Sequence, residues 1–140
     1  MRKKSKSEIR KVQDQLWEES RQVALKIFAN KDGTVDCYTC NAKDLQGSNR
    51  QLGHMWAKAS LSAILKYDLR ILRWQCSRCN IWFGGQGAVF YEKMLKEIGE
   101  ERMKILRDLK YNPPMVNALD YYKLQLEKTK DITSTTSLWL

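Results

Sequence analysis

Apolar residues near the start of the chain recur at helical spacing. Over residues 7–30 they fall three and four positions apart, and most positions between them are charged or polar. The pattern predicts one long amphipathic helix. Its apolar stripe consists of Ile9, Val12, Leu16, Val23 and Ile27, broadened by Trp17, Ala24 and Phe28. We favour packing of this stripe on its own domain over a dimer seam, and Gly33 suits the left-handed end of the helix.

Two short runs in the middle of the chain predict strands. Residues 52–56 alternate as a half-buried strand does, and residues 71–75 form a second short run rich in large apolar side chains. Between them, residues 57–67 place Ala, Leu and Ile at helical spacing and predict a short helix. The centre of the chain is therefore expected to combine strand and helix.

The second half of the chain predicts three further helices, over about residues 88–98, 100–110 and 115–130. Gly99 should end the first of them, and Pro113 and Pro114 break the chain before the last. Residues 131–140 are rich in Ser and Thr and predict a flexible tail, although the closing Leu138-Trp139-Leu140 could dock.

The pattern as a whole predicts one α+β domain over residues 1–140, a usual length for a single domain. We expect a basic arm and an amphipathic helix in residues 1–32, a central core in residues 33–99, helices in residues 100–130 and the tail in residues 131–140.

The net charge of the chain indicates the kind of partner it could bind. The formal net charge is +9, which favours nucleic acid, ahead of an anionic membrane, as a polyanionic partner; solubility alone is the alternative. Between Arg50 and Trp82 the only acid is Asp68. The basic residues there are Arg50, Lys58, Lys66, Arg70, Arg73 and Arg78. Residues 2–6 could form a flexible arm that follows phosphates, or a charged terminus without a specific role.

No apolar run approaches the roughly 18 residues needed to span a bilayer, and the basic start leads into a charged helical pattern instead of an apolar signal core. We therefore expect a cytoplasmic protein with no membrane partner. Because the cytoplasm is reducing, paired cysteines there favour a metal site over disulfides.

All four cysteines fall within about 45 residues, as two Cys-x-x-Cys pairs. Each pair presents two thiolates from one tight turn, and two such turns complete a tetrahedral zinc site. The predicted ligands are Cys37, Cys40, Cys76 and Cys79. A zinc ion with four thiolates has no open position for water, so its role would be structural. Reduced cysteines scattered in a core are the alternative, which does not explain the paired spacings.

The only histidine, His54, lies between the two cysteine pairs, and Asn80 follows the second pair directly. If both pairs bind one zinc, the strand of His54 should lie beside the helix expected after Cys79. A neutral imidazole next to a metal-bound phosphate could deprotonate a water molecule for attack on a phosphodiester. An oxygen ligand such as Asn80 could help to hold the hard cation that neutralises the developing charge.

The stretch from Cys37 to Gly99 resembles the NinG/Rap recombination endonucleases of lambdoid phages, members of the HNH nuclease group. The resemblance rests on the first Cys-x-x-Cys, Gly53-His54, a Gln-Cys-x-x-Cys-Asn motif ending at Asn80, a glycine-rich turn, and a helix ending in Gly. It implies a small zinc-pinned ββα-metal (treble-clef, HNH-like) core with flanking helices. It also implies a phage protein in a bacterial cytoplasm that cuts branched DNA, Holliday junctions or D-loops, with Mg²⁺ or Mn²⁺.

By matching positions, the resemblance makes the four cysteines the structural zinc ligands, His54 the general base and Asn80 a ligand of the catalytic metal. Gly85-Gln86 takes the place of the family's Gly-Asn turn. Three positions depart from the HNH pattern. Gly53 and Gly84 stand where a metal ligand can occur, and Ile71 stands where the middle Asn would fall. The expected nucleic-acid contacts are Arg50, Lys58, Arg70, Arg73, Arg78 and Gln86.

These observations predict a structure-selective, metal-dependent DNA endonuclease. A homodimer is expected if the substrate is a four-way junction, since symmetrical cleavage requires two active sites. The alternatives are a catalytically silent zinc module that binds DNA or RNA and a sequence-selective homing-type or nicking nuclease. Trp56, Trp74, Trp82 and Phe83 could stack on unpaired bases, or form the small core beside the zinc.

Overall fold

The computed structural model describes residues 6–139. Arg2, Lys3 and Lys4 of the predicted basic arm lie outside the described residues. The helices and strands, in chain order, are α1 (Glu8–Phe28), β1 (Gln51–His54), α2 (Ala63–Lys66), β2 (Leu72–Gln75), α3 (Gly87–Ile98), α4 (Glu100–Tyr111) and α5 (Ala118–Lys130). The mixture of helix and strand confirms the α+β class. No helix in this part of the chain is long and apolar enough to cross a membrane.

Helix α1 begins at a side-chain cap, because the Ser7 hydroxyl accepts a hydrogen bond from the Arg10 amide. Its apolar stripe is buried: Leu16 packs against α5, and Val23 packs against the two strands. This confirms packing within the domain and not a dimer seam. The prediction for Gly33 is wrong, because α1 already ends at Phe28, where Ala29 follows in an extended conformation, and Gly33 takes its positive φ in the following turn.

Strands β1 and β2 form an antiparallel hairpin in which Gln51 faces Gln75 and Gly53 faces Arg73. Side chains alternate across a strand. Leu52, Leu72 and Trp74 belong to the apolar cluster shared with α1. The opposite face carries Gln51, Gly53 and Gln75 toward the turn that follows the second cysteine pair.

The single helix predicted over residues 57–67 is instead two pieces, a 3₁₀ turn at Lys58–Ser60 and the short α2. Two serines explain the break. The Ser60 hydroxyl donates to the Ala57 carbonyl, and Ser62 stands at the start of α2 with an extended backbone. The interruption leaves the ammonium of Lys58 next to α1, within 5.2 Å of the Trp17 ring centroid.

Helices α2, α3 and α4 enclose a second apolar cluster that includes Phe90, Met94, Met103 and Leu106. Gly99 forms the corner between α3 and α4 with φ +86°, as predicted. In the tail, Leu138 and Trp139 pack against the domain, and the Trp139 ring lies 5.2 Å from the guanidinium groups of both Arg70 and Arg102.

Candidate metal and nucleic-acid site

The four cysteines converge at one end of the hairpin. Their Sγ atoms all lie within 4.8 Å of one another, and those of Cys40 and Cys76 are 3.7 Å apart. Zn–S bonds of about 2.3 Å give a tetrahedron with edges of about 3.8 Å. The cluster is therefore compatible with a zinc site built from the predicted ligands Cys37, Cys40, Cys76 and Cys79.

Hydrogen bonds prepare Cys37 for metal binding. Burial is the largest influence on this thiol and raises its pKa, but backbone amides and the Thr39 hydroxyl donate to the sulfur and bring the pKa down to about 6. The Thr39 Oγ lies 3.5 Å from the Cys37 sulfur and accepts a hydrogen bond from Gln75 Nε2. Since the thiolate is the form that binds metal, these contacts favour the metal-binding state of Cys37, whereas burial raises the pKa of Cys40 and of Cys79.

His54 is held in one tautomer and one orientation. Its Nε2 lies 2.8 Å from the backbone carbonyl of Lys66, and because a carbonyl can only accept, this nitrogen carries the proton. The lone pair is then on Nδ1. The imidazole also stacks on Trp17, with ring centroids 5.5 Å apart and planes 7° from parallel.

The pKa of His54 is lowered from its ordinary value near 6.5, chiefly because the imidazole is partly buried. The hydrogen bond to the Lys66 carbonyl opposes this shift, while the nearby charges of Lys58 and Lys66 add to it. The imidazole is therefore neutral at pH 7. Its Nδ1 can accept a proton, as a general base requires.

Asn80 lies on a short π-helical turn, Arg78–Trp82, which stands where a helix is expected after Cys79. Three successive residues with positive φ, Gly84 to Gln86, separate this turn from α3. Asn80 Nδ2 donates to Gln51 Oε1 at 2.9 Å, and Gln51 in turn donates to the Ser48 carbonyl. This chain of donors fixes the Asn80 amide so that Oδ1 is the atom left to act as a ligand.

Gln75 fills the space in which an HNH ligand at position 53 would stand. A Cβ added to Gly53 would lie 1.8 Å from Gln75 Oε1 and 3.1 Å from Asn80 Oδ1. Gln75 is fully buried, and its Nε2 donates to Thr39 Oγ and to the Gly85 carbonyl. Its Oε1 has no hydrogen-bond partner among the described residues. Gln75 thus joins the cysteine cluster to the surroundings of Asn80.

Replacing Gly53 with Ala should destabilise the fold by about 1–3 kcal/mol, because the methyl group would overlap the buried Gln75 amide. Urea denaturation measures the change. Gly87→Ala is the matched control, since the nearest atom to its added Cβ is 3.9 Å away. In a Gln75→Ala background, Gly53→Ala should cost much less. Equal stability of Gly53→Ala and wild type would contradict this account of the glycine.

His54 and Asn80 line the same cavity, which has a volume of about 220 Å³. Two neighbouring cavities adjoin it through shared residues. One shares Asn80 and is also lined by Arg21 and Arg50. The other shares Lys58 and is also lined by Arg10 and Lys66, and Trp17 borders both of these neighbours. Lys58 and Asn80 thus link the His54 cavity to two neighbours, both of which are lined by Trp17 and by cations.

The structure separates the predicted nucleic-acid residues into two groups. Arg50 and Lys58 line the cavities around His54, Arg78 is exposed, and Gln86 is half-buried where α3 begins.

Arg70 and Arg73 have structural roles, contrary to the sequence prediction. Arg73 is 7% exposed, is paired with Glu97 at 2.7 Å, and donates to the carbonyls of Leu69 and Leu72. Arg70 is hydrogen-bonded through two nitrogens to Asp68. A phosphate would have to break these pairings to reach either guanidinium.

Sequence reasoning did not assign Trp17, Arg10 and Arg21 to the site. All three are on α1, seven and four residues apart, and hence on one face of the helix. Basic residues flanking an aromatic at this spacing were the available signal. The apolar stripe, which includes Trp17, accounted for the helix without requiring a second role.

No protein-family model, curated protein or solved structure matches this chain. The resemblance to phage recombination endonucleases therefore stays a prediction. Support for a function comes from the arrangement of His54, Asn80 and the cysteine cluster.

Proposed function

We propose that this protein is an HNH-type, metal-dependent endonuclease, similar to the NinG/Rap family, that cuts branched DNA such as a Holliday junction or a D-loop. The observation that carries the proposal is the cavity shared by His54 and Asn80. It combines a neutral imidazole, whose tautomer is fixed, with an amide oxygen that accepts no hydrogen bond from the described residues.

In this mechanism His54 Nδ1 removes a proton from the water that attacks the phosphodiester. The imidazolium that forms is stabilised by the Lys66 carbonyl, which accepts from Nε2 throughout. Trp17 restrains the ring by stacking on it, so the base keeps its orientation between turnovers. The imidazole on β1 is thus held by contacts from two other elements, α1 and the end of α2.

The residues fit a sparse site for Mg²⁺ or Mn²⁺. Asn80 Oδ1 would hold the ion together with water and phosphate oxygens, and Gln75 Oε1 is a second amide oxygen near Gly53, where the side-chain ligand is missing. Hard cations prefer such oxygen ligands. When bound, the cation would neutralise the charge that develops on the phosphate and the leaving oxygen.

Zinc has a structural role in this proposal. Cys79 and Asn80 are adjacent in the chain, so an ion that fixes the cysteine cluster also fixes the turn that carries Asn80. The hairpin, this turn and α3 then form the ββα arrangement of a treble-clef core. Apart from the ion, side-chain hydrogen bonds of Gln75 on β2 and Gln51 on β1 connect the turn to the hairpin.

Cations around the site favour DNA as the partner. Arg10, Arg21, Arg50, Lys58 and Lys66 line the three adjoining cavities. Among the described residues that line them, the one acid is Asp14, which is itself paired with Lys6 at 2.6 Å and with Arg10. The lining therefore keeps a positive balance that suits a phosphate backbone.

The second candidate is a silent zinc module that binds DNA or RNA. It is favoured by the absence of a side chain at Gly53, which leaves Asn80 as the main metal ligand. One experiment separates the two candidates. The protein is incubated with labelled four-way junctions and linear duplexes, with Mg²⁺, with Mn²⁺ and without a divalent ion. Metal-dependent cleavage of the junction supports the nuclease; a shifted but uncut band supports the binding module.

The mass of the protein, free and bound to the junction, should accompany this assay. Symmetrical cleavage of a four-way junction requires two active sites, so the proposed substrate predicts two copies of the chain on each junction. One copy per junction together with symmetrical cleavage would contradict that expectation.

A further inference from the structure

The turn after the second cysteine pair exposes three adjacent apolar side chains. Ile81 is 59% exposed, Trp82 is 80% exposed and Phe83 is 49% exposed. We call these residues, Ile81 to Phe83, the aromatic tip. Large apolar groups exposed side by side are characteristic of interaction surfaces. A tryptophan this exposed contributes little to the packing of the domain.

The aromatic tip is attached to an ordered turn. The Phe83 amide donates to the Arg78 carbonyl at 3.0 Å, and the Gly85 amide donates to the Cys79 carbonyl at 2.8 Å. Cys79 belongs to the cysteine cluster, so the turn is tied to the proposed zinc site. The tip is therefore presented in a defined direction, which lowers the entropy cost of binding a partner. π-Helical turns of this kind are frequent at functional sites.

We propose that the aromatic tip stacks on base faces that are exposed at the branch point of the DNA substrate. This inference rests on the proposed function and deepens it, since it names the feature that distinguishes branched from linear DNA. The same turn carries Asn80, so the tip stands beside the cavity in which cleavage is proposed. A phosphate held at Asn80 would place the neighbouring bases within reach of Trp82.

A continuous duplex offers no free base face to such a surface. In a paired helix the base faces are stacked on one another, and only their edges are accessible in the grooves. Branch points and single strands expose base faces, on which an aromatic ring can stack regardless of sequence. Trp82 and Phe83 therefore favour a substrate with exposed base faces over a continuous duplex.

The charge around the aromatic tip favours a nucleic acid over a protein partner. The Arg78 guanidinium lies 5.1 Å from the centroid of the Phe83 ring. Arg21 and Arg50 line the cavity that borders Asn80. These cations would neutralise the phosphates of a strand whose bases reach the tip. An apolar protein surface would leave them without a partner.

Binding measurements without a divalent ion test this inference, because they do not depend on cleavage. Fluorescence anisotropy gives the affinity for a four-way junction and for a linear duplex of the same length. We expect Trp82→Ala to weaken junction binding roughly 5- to 100-fold and to leave duplex binding unchanged. Tyr111→Ala is the control, since Tyr111 is 68% exposed on another element and should affect neither. Zinc content and the melting temperature verify that each variant is folded.

Equal losses on junction and duplex, or no loss on either, would overturn the inference. So would a Trp82→Ala variant that binds DNA normally but no longer self-associates, because the tip would then be an interface between copies. Failure of this inference and failure of the nuclease proposal can be told apart. If junction binding depends on the tip but no cleavage occurs, the nuclease proposal is refuted and the role of the tip stands. If Trp82→Ala binds and cleaves the junction normally, the role of the tip is refuted and the nuclease proposal stands.

Discussion

Cys76→Ser should lose zinc and unfold the centre of the domain. Cys76 is buried, its sulfur lies 3.7 Å from that of Cys40, and the Cys79 amide points at it. Structural zinc sites contribute roughly 10–16 kcal/mol of binding free energy, as much as the total stability of a typical domain, about 5–15 kcal/mol. Elemental analysis should find about one zinc per wild-type chain, and circular dichroism should show the loss of structure in the variant.

Met115→Ser is the control for this experiment. It introduces the same residue at a position that is fully exposed, so both zinc content and melting temperature should match the wild type. A folded wild-type protein free of zinc, or a Cys76→Ser variant that melts like the wild type, would remove the structural role of the metal.

Local patterns predicted most of the secondary structure and the cysteine cluster. The stripe of α1, the two short strands and the corner at Gly99 each follow from residues within a few positions of one another. Two Cys-x-x-Cys turns can bind one ion together in only a few arrangements. The convergence of the four sulfurs was therefore predictable although about 35 residues separate the pairs.

Contacts between distant elements were not predictable in this way. Trp17 stacks on His54 only because α1 crosses the face of the hairpin that carries the histidine. Gln75 fills the space beside Gly53 because the register of the strands brings the two together. Arg73 counted as a phosphate contact in the sequence, yet its guanidinium lies over the rings of Phe28 and Tyr38. The sequence shows which residues are charged, but it does not show which of these charges the fold buries.

His54→Gln should abolish most cleavage while keeping zinc, fold and DNA binding. Removal of a general base typically slows an enzyme by roughly 10²–10⁴-fold. Glutamine is a better test than alanine, because an amide can still donate to the Lys66 carbonyl, which alanine would leave without its partner. Single-turnover cleavage of a four-way junction at saturating Mg²⁺ or Mn²⁺ measures the effect.

Wild-type cleavage should also depend on pH in one direction. The base must be neutral, so the rate should rise with pH through the His54 pKa and then level off. Burial lowers that pKa below its ordinary value. The midpoint should therefore fall below pH 6.5, and this rise should be missing from the residual activity of His54→Gln.

Asn80→Ala should differ from His54→Gln in its metal dependence. It removes an oxygen ligand and leaves the base in place, so cleavage should need more Mg²⁺ or Mn²⁺ and recover when the ion is raised. His54→Gln should stay slow at every metal concentration, because added ion cannot replace the proton acceptor. A metal titration of the wild type and both variants side by side distinguishes the two roles. If His54→Gln cuts as fast as the wild type at saturating metal, the base is not His54, and the zinc-binding module becomes the better account of the site.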